Sequence, residues 1–290
     1  MLTKVFYLHA LSALHVGVGQ AIGVVDMPIA RSRSTQLPLV PGSALKGVVR
    51  DEFGDNPHRE TLFGPERIDG PEGAFAGALA FGDAHLLIFP VRSFAGVVAY
   101  VTCPFVLMRY AEDCRRAGEP SLPPVPEVAE NAVMLTQSSV IKVDESHVVF
   151  EDLDLTASKG ADPWAEKMAA CLFSGEESGF KKSFGEHFAI ISDDNFTFLT
   201  ETATEIRARI RMTDRGVVDQ GALWYEENLP AESVLWGALA AGCGRNQKDP
   251  KSAVEVMVEF ERRMKKDALL QIGGKATVGR GLVRFLMGSA

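Results

Sequence analysis

The 290-residue sequence contains little cysteine and no long apolar run. Its cysteines are Cys103, Cys114, Cys171 and Cys243. They show no CxxC spacing and are too few for a disulfide framework in a chain of this size, so we expect reduced thiols and no structural zinc. No stretch approaches the roughly 18 apolar residues that span a membrane, and polar residues interrupt the first 20 positions. The sequence therefore predicts a cytoplasmic protein that does not contact a membrane.

Positive charge is also scarce, because 30 Lys and Arg residues stand against 38 Asp and Glu residues and the net charge is −8. Proteins that bind nucleic acid are usually basic, so the total argues against such a partner. The bases are nevertheless concentrated in residues 31–50, 207–215 and 262–285, which together carry +13 and leave −21 on the remaining chain. A basic track on an acidic body would give this distribution, and ordinary charge scatter would explain the same counts.

Apolar residues are plentiful, at 46% of the chain, which is ample for a large core. Runs of β-branched and aromatic residues predict strands at residues 4–11, 79–92, 97–103, 147–155 and 187–192. Apolar periodicity predicts helices at residues 43–53, 105–116, 162–173 and 252–266. Four prolines in residues 118–131 indicate a surface connection. This order favours an α+β fold of ferredoxin-like type, a topology that RNA-recognition modules also use.

A Pro-Gly turn opens the first predicted helix, in the segment PGSALKG at residues 41–47. The N-terminus of a helix presents backbone N–H groups that attract anions, and Ser43 is the expected N-cap. Lys46 follows one turn later and adds a positive charge. The segment predicts a phosphate-binding site, with a plain capped helix as the alternative.

A second glycine-rich segment, GGKATVGRGLVRF, spans residues 273–285. Glycine allows the backbone to pass close to a phosphate, while Lys275 and Arg280 supply charge. The segment lacks the GxxxxGK[ST] spacing of a nucleotide-binding P-loop. We predict contacts with phosphates here, and the alternative is a strained hairpin that binds nothing.

Asp26 lies in a glycine-rich loop without other acids, between His15 and Arg31. Residue type alone makes such a carboxylate a loop cap more often than a catalyst. His15 has a similar ordinary explanation, as a histidine at the end of a strand.

Residues 206–230 have the pattern of a hairpin with a basic row. Arg207, Arg209 and Arg211 alternate with apolar residues, which places them on one face of a strand. A turn around Gly216 and the aromatic pair at 224–225 follow. Such a hairpin is suited to stacking on bases or separating them.

Four segments together resemble the RAMP superfamily, and within it the family of the fourth, repeated backbone subunit of type III-B CRISPR (Cmr) effector complexes. They are LPLVPGSALKGVVR, FGDAHLLIFPVRS, ALWYEENLPAESVLWG and GKATVGRGLVRF. The likeness runs from His15 to Phe285. It implies one RAMP domain over residues 1–290, with a ferredoxin-like palm, an insertion around 118–175 and a thumb-like hairpin around 204–230.

The resemblance also implies the function. Such a subunit binds CRISPR guide RNA, stacks with copies of itself and other Cmr subunits into a filament, and cuts paired target RNA at regular intervals. The loop acid on which cleavage depends in that family matches Asp26, with His15 and Glu227 beside it as further catalytic candidates. Cleavage is expected to need a divalent metal, Mg²⁺, held by Asp26. The predicted RNA contacts are Ser43, Lys46, Arg50, Arg211, Gly273, Gly274, Lys275 and Arg280.

Three alternatives stay open at this point. The chain could be a filament subunit that binds RNA without cutting it, or a metal-independent RAMP endonuclease that processes precursor RNA with His15 as general acid or base. An unrelated nucleotide-binding enzyme is the third. Within the main hypothesis, Asp26 could hold the metal or accept the proton of the attacking 2′-hydroxyl.

Overall fold

The computed structural model describes residues 1–19, 25–68, 73–120, 122–173, 179–264 and 267–288. The strands are β1 Leu2–Ala10, β2 Leu39–Val40, β3 Leu79–Phe81, β4 Ala84–Ser93, β5 Val97–Thr102, β6 Ala132–Leu135, β7 His147–Phe150, β8 Leu153–Lys159, β9 Phe188–Ile191, β10 Glu205–Met212, β11 Val218–Asn228, β12 Val234–Ala241, β13 Asp267–Gln271 and β14 Leu282–Met287. The helices are α1 Gly42–Glu52, α2 Arg59–Phe63, α3 Pro104–Arg116, α4 Asp162–Leu172, α5 Gly179–His187, α6 Asp193–Thr202 and α7 Ala253–Met264.

Twelve strands of the described part of the chain form one sheet, in the order β13-β14-β1-β12-β4-β5-β9-β6-β8-β7, with β2 on β4 and β3 on β12. Strand β1 is antiparallel to both of its neighbours, β12 and β14. Strands β10 and β11 form a separate two-stranded hairpin. The result is a mixed α/β fold from which one hairpin stands apart.

Strand β1 is buried on both faces, because its sequence carries large apolar side chains at consecutive positions. On one face Phe6 stacks on Phe285 with ring centroids 5.2 Å apart, and Phe260 of α7 packs against the same Phe285. On the other face Tyr7 meets Tyr110 of α3, with a hydroxyl–hydroxyl distance of 2.7 Å. Alternating side chains on a strand therefore join two helix layers through one sheet.

Most predicted elements are present, with two differences. The strand expected at 79–92 is interrupted between β3 and β4 at residues 82–83, and the one expected at 147–155 is a hairpin of β7 and β8. Glu151, at the turn between β7 and β8, takes a positive φ of 49°. The last two residues of the helix expected at 252–266 lie outside the described residues.

All four cysteines are free thiols, as expected. In the part of the chain that the structure describes, every helix is too short or too polar to cross a lipid bilayer. The cytoplasmic location stays a prediction.

The expectation that Ser43 caps α1 is wrong. The N-cap is Pro41, two residues before Ser43, with a ψ of 136°. Ser43 lies exposed in the first turn without a capping hydrogen bond. The first helical amide, that of Gly42, instead donates to Asp83 Oδ1 at 2.8 Å. A Cβ at Gly42 would lie 2.3 Å from the carbonyl oxygen of Phe81, so glycine is required for this approach. The motifs PGSALKG and FGDAHLL therefore meet at the start of α1.

We expect Asp83→Ala to lower the free energy of unfolding by about 1 kcal/mol, the usual loss for a removed helix cap. Asp83→Asn keeps an oxygen that can accept the Gly42 amide and should lose less. Denaturant unfolding of the three proteins measures this. Equal stability of wild type and Asp83→Ala would show that the contact does not stabilise α1.

Candidate active site

Asp26 is fixed to the base of the β10–β11 hairpin. Its Oδ2 accepts the backbone N–H of Tyr225 at 2.7 Å. The next residue, Met27, donates its N–H to the carbonyl of Tyr225 at 3.1 Å and accepts the N–H of Glu227 at 3.0 Å. The Asp26 loop therefore lies along β11 as a short parallel bridge between Met27 and Glu226. One carboxylate oxygen of Asp26 is held, and Oδ1 has no hydrogen-bond partner among the described residues.

His15 is attached to the same stretch of β11. It is buried, and its Nδ1 lies 2.7 Å from the carbonyl oxygen of Glu227. A carbonyl oxygen can only accept, so Nδ1 is the donor in this hydrogen bond. A Cβ at Gly17 would lie 2.7 Å from Nε2, so glycine there leaves room for the ring.

The side chain of Glu227 is buried and satisfied by three donors. Its Oε2 accepts the N–H of Ile29 at 3.0 Å. Its Oε1 accepts the guanidinium of Arg31 at 2.6 Å and the hydroxyl of Thr204 at 3.1 Å. The predicted catalytic carboxylate is therefore occupied by protein groups.

Glu226, the preceding residue, faces a different set of partners and is 1% exposed. Its carboxylate lies 2.8 Å from Lys275 Nζ, 2.8 Å from the indole N–H of Trp224 and 3.2 Å from Arg209 Nε. Burial raises the pKa of Glu226, but hydrogen bonds from Lys275, Trp224 and Arg209 outweigh that effect and lower the pKa to about 2. Glu226 thus neutralises part of the charge that Lys275 would offer to RNA.

An open cavity of about 420 Å³ lies beside Asp26. Its lining residues combine one carboxylate, two cations, one aromatic ring and three apolar side chains: Asp26, Met27, Arg211, Ala222, Leu223, Trp224 and Lys275. Arg211 also pairs with Asp219 at 2.9 Å. The cavity brings together three predicted site residues, Asp26, Arg211 and Lys275.

Lys46 and Arg50 lie on α1 and make a second basic feature. Burial lowers the pKa of Lys46, and the charge of Arg50 lowers it further. Neither side chain has an acidic partner among the described residues. Two neighbouring cations without a counter-charge are an unfavourable arrangement that an anion would relieve. Ser43 is exposed in the first turn of the same helix.

The C-terminal glycine loop packs on the segment that carries His15. Gly273 has a φ of 78°, and a Cβ there would lie 2.2 Å from the carbonyl oxygen of His15, whereas Gly274 donates its N–H to that same oxygen at 3.0 Å. The close approach that the sequence predicted for a phosphate is made here to protein backbone. Arg280 is mostly buried, 3.7 Å from Glu205. Its Nε has no partner in the described structure.

Comparison with known proteins gives the family. The RAMP superfamily model matches residues 7–284. The chain belongs to the RAMP superfamily. It is 35% identical over 287 residues, or 97% of this chain and 94% of the relative, to the CRISPR system Cmr endoribonuclease Cmr4 of Pyrococcus furiosus. The resemblance inferred from the four motifs is confirmed.

Solved structures agree with this assignment. A crystal structure of oligomeric Cmr4 from Pyrococcus furiosus superimposes with a TM-score of 0.75 at 27% identity and covers 100% of this chain and 99% of that one. A chain of the type III-B Cmr-beta complex bound to cognate target RNA has a TM-score of 0.73, covering 99% of this chain and 97% of that one. At 19% identity the second match shows a shared fold alone.

The predicted metal has limited protein support in this RAMP chain. The described residues contain no cluster of three His, Cys, Asp or Glu side chains that could hold an ion. Next to Asp26, the carboxylates of Glu226 and Glu227 already bind protein donors. The residues fit a Mg²⁺ shared with RNA phosphates and do not fit an ion held by protein alone.

Sequence reasoning missed two groups that organise the site, Arg31 and Thr204. Arg31 was counted in the basic track, but it binds Glu227 and the carbonyls of Gln36 and Thr200. Arg31 and Glu227 are 196 residues apart in the chain, so no local sequence pattern could pair them. The one signal was the two adjacent acids, Glu226 and Glu227, directly after the aromatic pair at 224–225.

The low pKa of Glu226 predicts a pH dependence of stability. A carboxyl with a folded pKa of about 2, against 4.5 for the free side chain, stabilises the fold above about pH 4.5, and that contribution is lost as the pH falls toward 2. The stability difference between wild type and Glu226→Gln should therefore shrink between pH 5 and pH 2. Unfolding curves across this range measure it, with exposed Glu201→Gln as control. A difference that does not change with pH would contradict this account.

Proposed function

We propose that this chain is the repeated backbone subunit of a type III-B CRISPR effector complex, where it binds guide RNA and cuts the paired target RNA beside Asp26. The observation that carries the proposal is the position of Asp26. One carboxylate oxygen is held by Tyr225 N–H, and the residue lines an open cavity with Lys275 and Arg211. A carboxylate beside cations in a cleft of this size suits the cleavage of a phosphodiester.

The relatives support the substrate and the assembly. The Pyrococcus furiosus relative is an endoribonuclease by name, and the match extends over nearly both full chains. The similar crystal structure is of an oligomer. We infer the same class of activity for this chain, with copies of itself, other Cmr subunits, guide RNA and target RNA as its partners.

Guide RNA binding is assigned to the start of α1 and to the C-terminal loop. Lys46 and Arg50 are cations without an acidic partner in the described structure, and Ser43 lies exposed beside them. In the C-terminal loop, the proposed contacts with guide RNA are Gly273, Gly274, Lys275 and Arg280. Contacts of this kind act on phosphates, so affinity should depend on salt and little on sequence.

The chemistry of cleavage needs few protein groups. The 2′-oxygen of the RNA attacks the adjacent phosphorus as its proton leaves, the bond from phosphorus to the 5′-oxygen of the next nucleotide breaks, and that oxygen takes a proton from water. The protein orients the nucleotide and stabilises the charge that develops. Asp26 accepts the hydroxyl proton or would hold Mg²⁺, and Lys275 and Arg211 face the phosphate. When bound, Mg²⁺ would supply charge stabilisation. His15 is an auxiliary group, held by its Nδ1 on the carbonyl oxygen of Glu227.

We also propose that four strands and two helices of this chain form a ferredoxin-like palm. In chain order, β1, α1, β4, β12, α7 and β14 form a β-α-β-β-α-β series. The sheet order β14-β1-β12-β4, with antiparallel neighbours, supports the ferredoxin-like arrangement of these four strands. Strands β6, β7 and β8 lie in the proposed insertion around residues 118–175, and the β10–β11 hairpin is the proposed thumb.

We expect Asp26→Ala and Asp26→Asn to abolish target cleavage by the assembled complex while guide and target binding change little. Asparagine can keep the hydrogen bond from Tyr225 N–H, so the comparison separates charge from loop geometry. Single-turnover cleavage and filter binding measure the two properties. Asp51→Asn, an exposed acid on α1, is the control. Wild-type cleavage by Asp26→Asn would remove the charge of Asp26 from the mechanism.

The metal requirement separates this mechanism from a histidine-based nuclease. We expect EDTA to stop cleavage by the assembled complex and added Mg²⁺ to restore it, while His15→Ala keeps measurable activity. Cleavage that continues in EDTA and disappears in His15→Ala would favour the metal-independent endonuclease instead.

A further inference from the structure

We propose that Glu227 is a positioning residue for Asp26 and takes no part in the chemistry itself. Its carboxylate joins the Asp26 loop, the start of the hairpin and the end of α6 into one arrangement. The inference rests on the proposed function, because it assigns how the cleaving carboxylate is held.

The Asp26 loop has two successive anchors on β11. The first is the backbone bridge, in which residues 26–27 bind residues 225–227. The second begins two residues later, where the N–H of Ile29 donates to Glu227 Oε2 at 3.0 Å. Pro28 alone lies between them, so the direction of the Asp26 side chain depends on both anchors.

Arg31 extends the second anchor to the body of the protein. Its guanidinium binds Glu227 Oε1 at 2.6 Å and also the carbonyl oxygens of Gln36 and Thr200, each at 2.9 Å. Thr204, just before β10, donates to the same Oε1 at 3.1 Å. The single carboxylate of Glu227 therefore connects α6, the Asp26 loop and the first residues of the hairpin.

The geometry separates this role from a catalytic one. Glu227 does not line the cavity that holds Asp26, Arg211 and Lys275. Both of its oxygens are engaged and its side chain is 8% exposed. A proton acceptor must lie within hydrogen-bond reach of the substrate, and Glu227 lies outside the cavity lined by Asp26.

The backbone of Glu227 also positions His15, the second catalytic candidate. Its carbonyl oxygen accepts the Nδ1 proton of His15 at 2.7 Å. Residues 225–227 therefore position both Asp26 and His15. A small shift of β11 changes the distance of each group from a bound phosphate, and a misplacement of about 1 Å costs about 100-fold in rate.

The test uses the assembled complex with guide RNA and measures single-turnover cleavage and target affinity separately. We expect Glu227→Gln to lower the cleavage rate about 10- to 100-fold with target Kd unchanged, because the new amide NH₂ faces donors and breaks at least one contact. Arg31→Met should also lower the cleavage rate and leave target Kd unchanged. The double variant should be no worse than the poorer single variant, since both changes break one network.

Glu119→Gln is the matched control for loss of a buried ion pair. The side chain of Glu119 is 6% exposed and pairs with Lys167 at 3.6 Å, away from the Asp26 loop. Glu119→Gln should lower the stability of the protein without changing the cleavage rate. If Glu227→Gln does not assemble, Thr204→Val, which removes one hydrogen bond to the same oxygen, is judged by the same two measurements.

The outcomes separate this inference from the proposed function. A wild-type cleavage rate in Glu227→Gln, with Asp26→Asn inactive, would overturn the positioning role and leave the function intact. A loss of target affinity equal to the loss of rate would place Glu227 in RNA binding and also overturn it. Full cleavage by Asp26→Asn would overturn the function itself.

Discussion

Two consecutive buried carboxylates on β11, Glu226 and Glu227, determine the surroundings of Asp26. Removing a charge from water is costly unless charged or hydrogen-bonding partners replace the solvent. Each carboxylate has collected its own partners, Lys275, Trp224 and Arg209 for Glu226 and Arg31, Thr204 and Ile29 for Glu227. The partners come from the C-terminal loop, the hairpin and the Asp26 loop, so these pairings bring distant parts of the chain to one place.

The charge balance of the protein is better understood from these pairings than from counts along the sequence. The windows of excess base include Arg31, Arg209, Arg211 and Lys275, all of which have acidic partners in the fold. Lys46 and Arg50 have none in the described part of the chain. The basic surface offered to RNA is therefore smaller than the +13 counted along the sequence, and α1 carries its clearest part.

Apolar periodicity and turn residues were sufficient to predict most helices and strands, because local residues determine these elements. The strand break at residues 82–83 and the cap of α1 depend on Asp83 contacting Gly42 across 41 residues, and local pattern placed the cap on Ser43 instead. Asp26 was selected by family resemblance, since residue type alone favoured a loop cap. Its hydrogen bond with Tyr225 spans 199 residues. Positions that depend on such long-range contacts are inaccessible to pattern analysis of one sequence.

The alternation of side chains on a strand has a mechanical consequence at β11. Glu226 and Glu227 face opposite sides, so the same strand fixes the cations near the cavity on one side and the acid loop on the other. In the described residues the β10–β11 hairpin forms its own two-stranded sheet, and its base is joined to the body through these side chains and the bridge at Met27. A displacement of the hairpin would therefore move Asp26 with it. In the proposed function, this connection joins contact of the thumb with paired RNA to the alignment of Asp26.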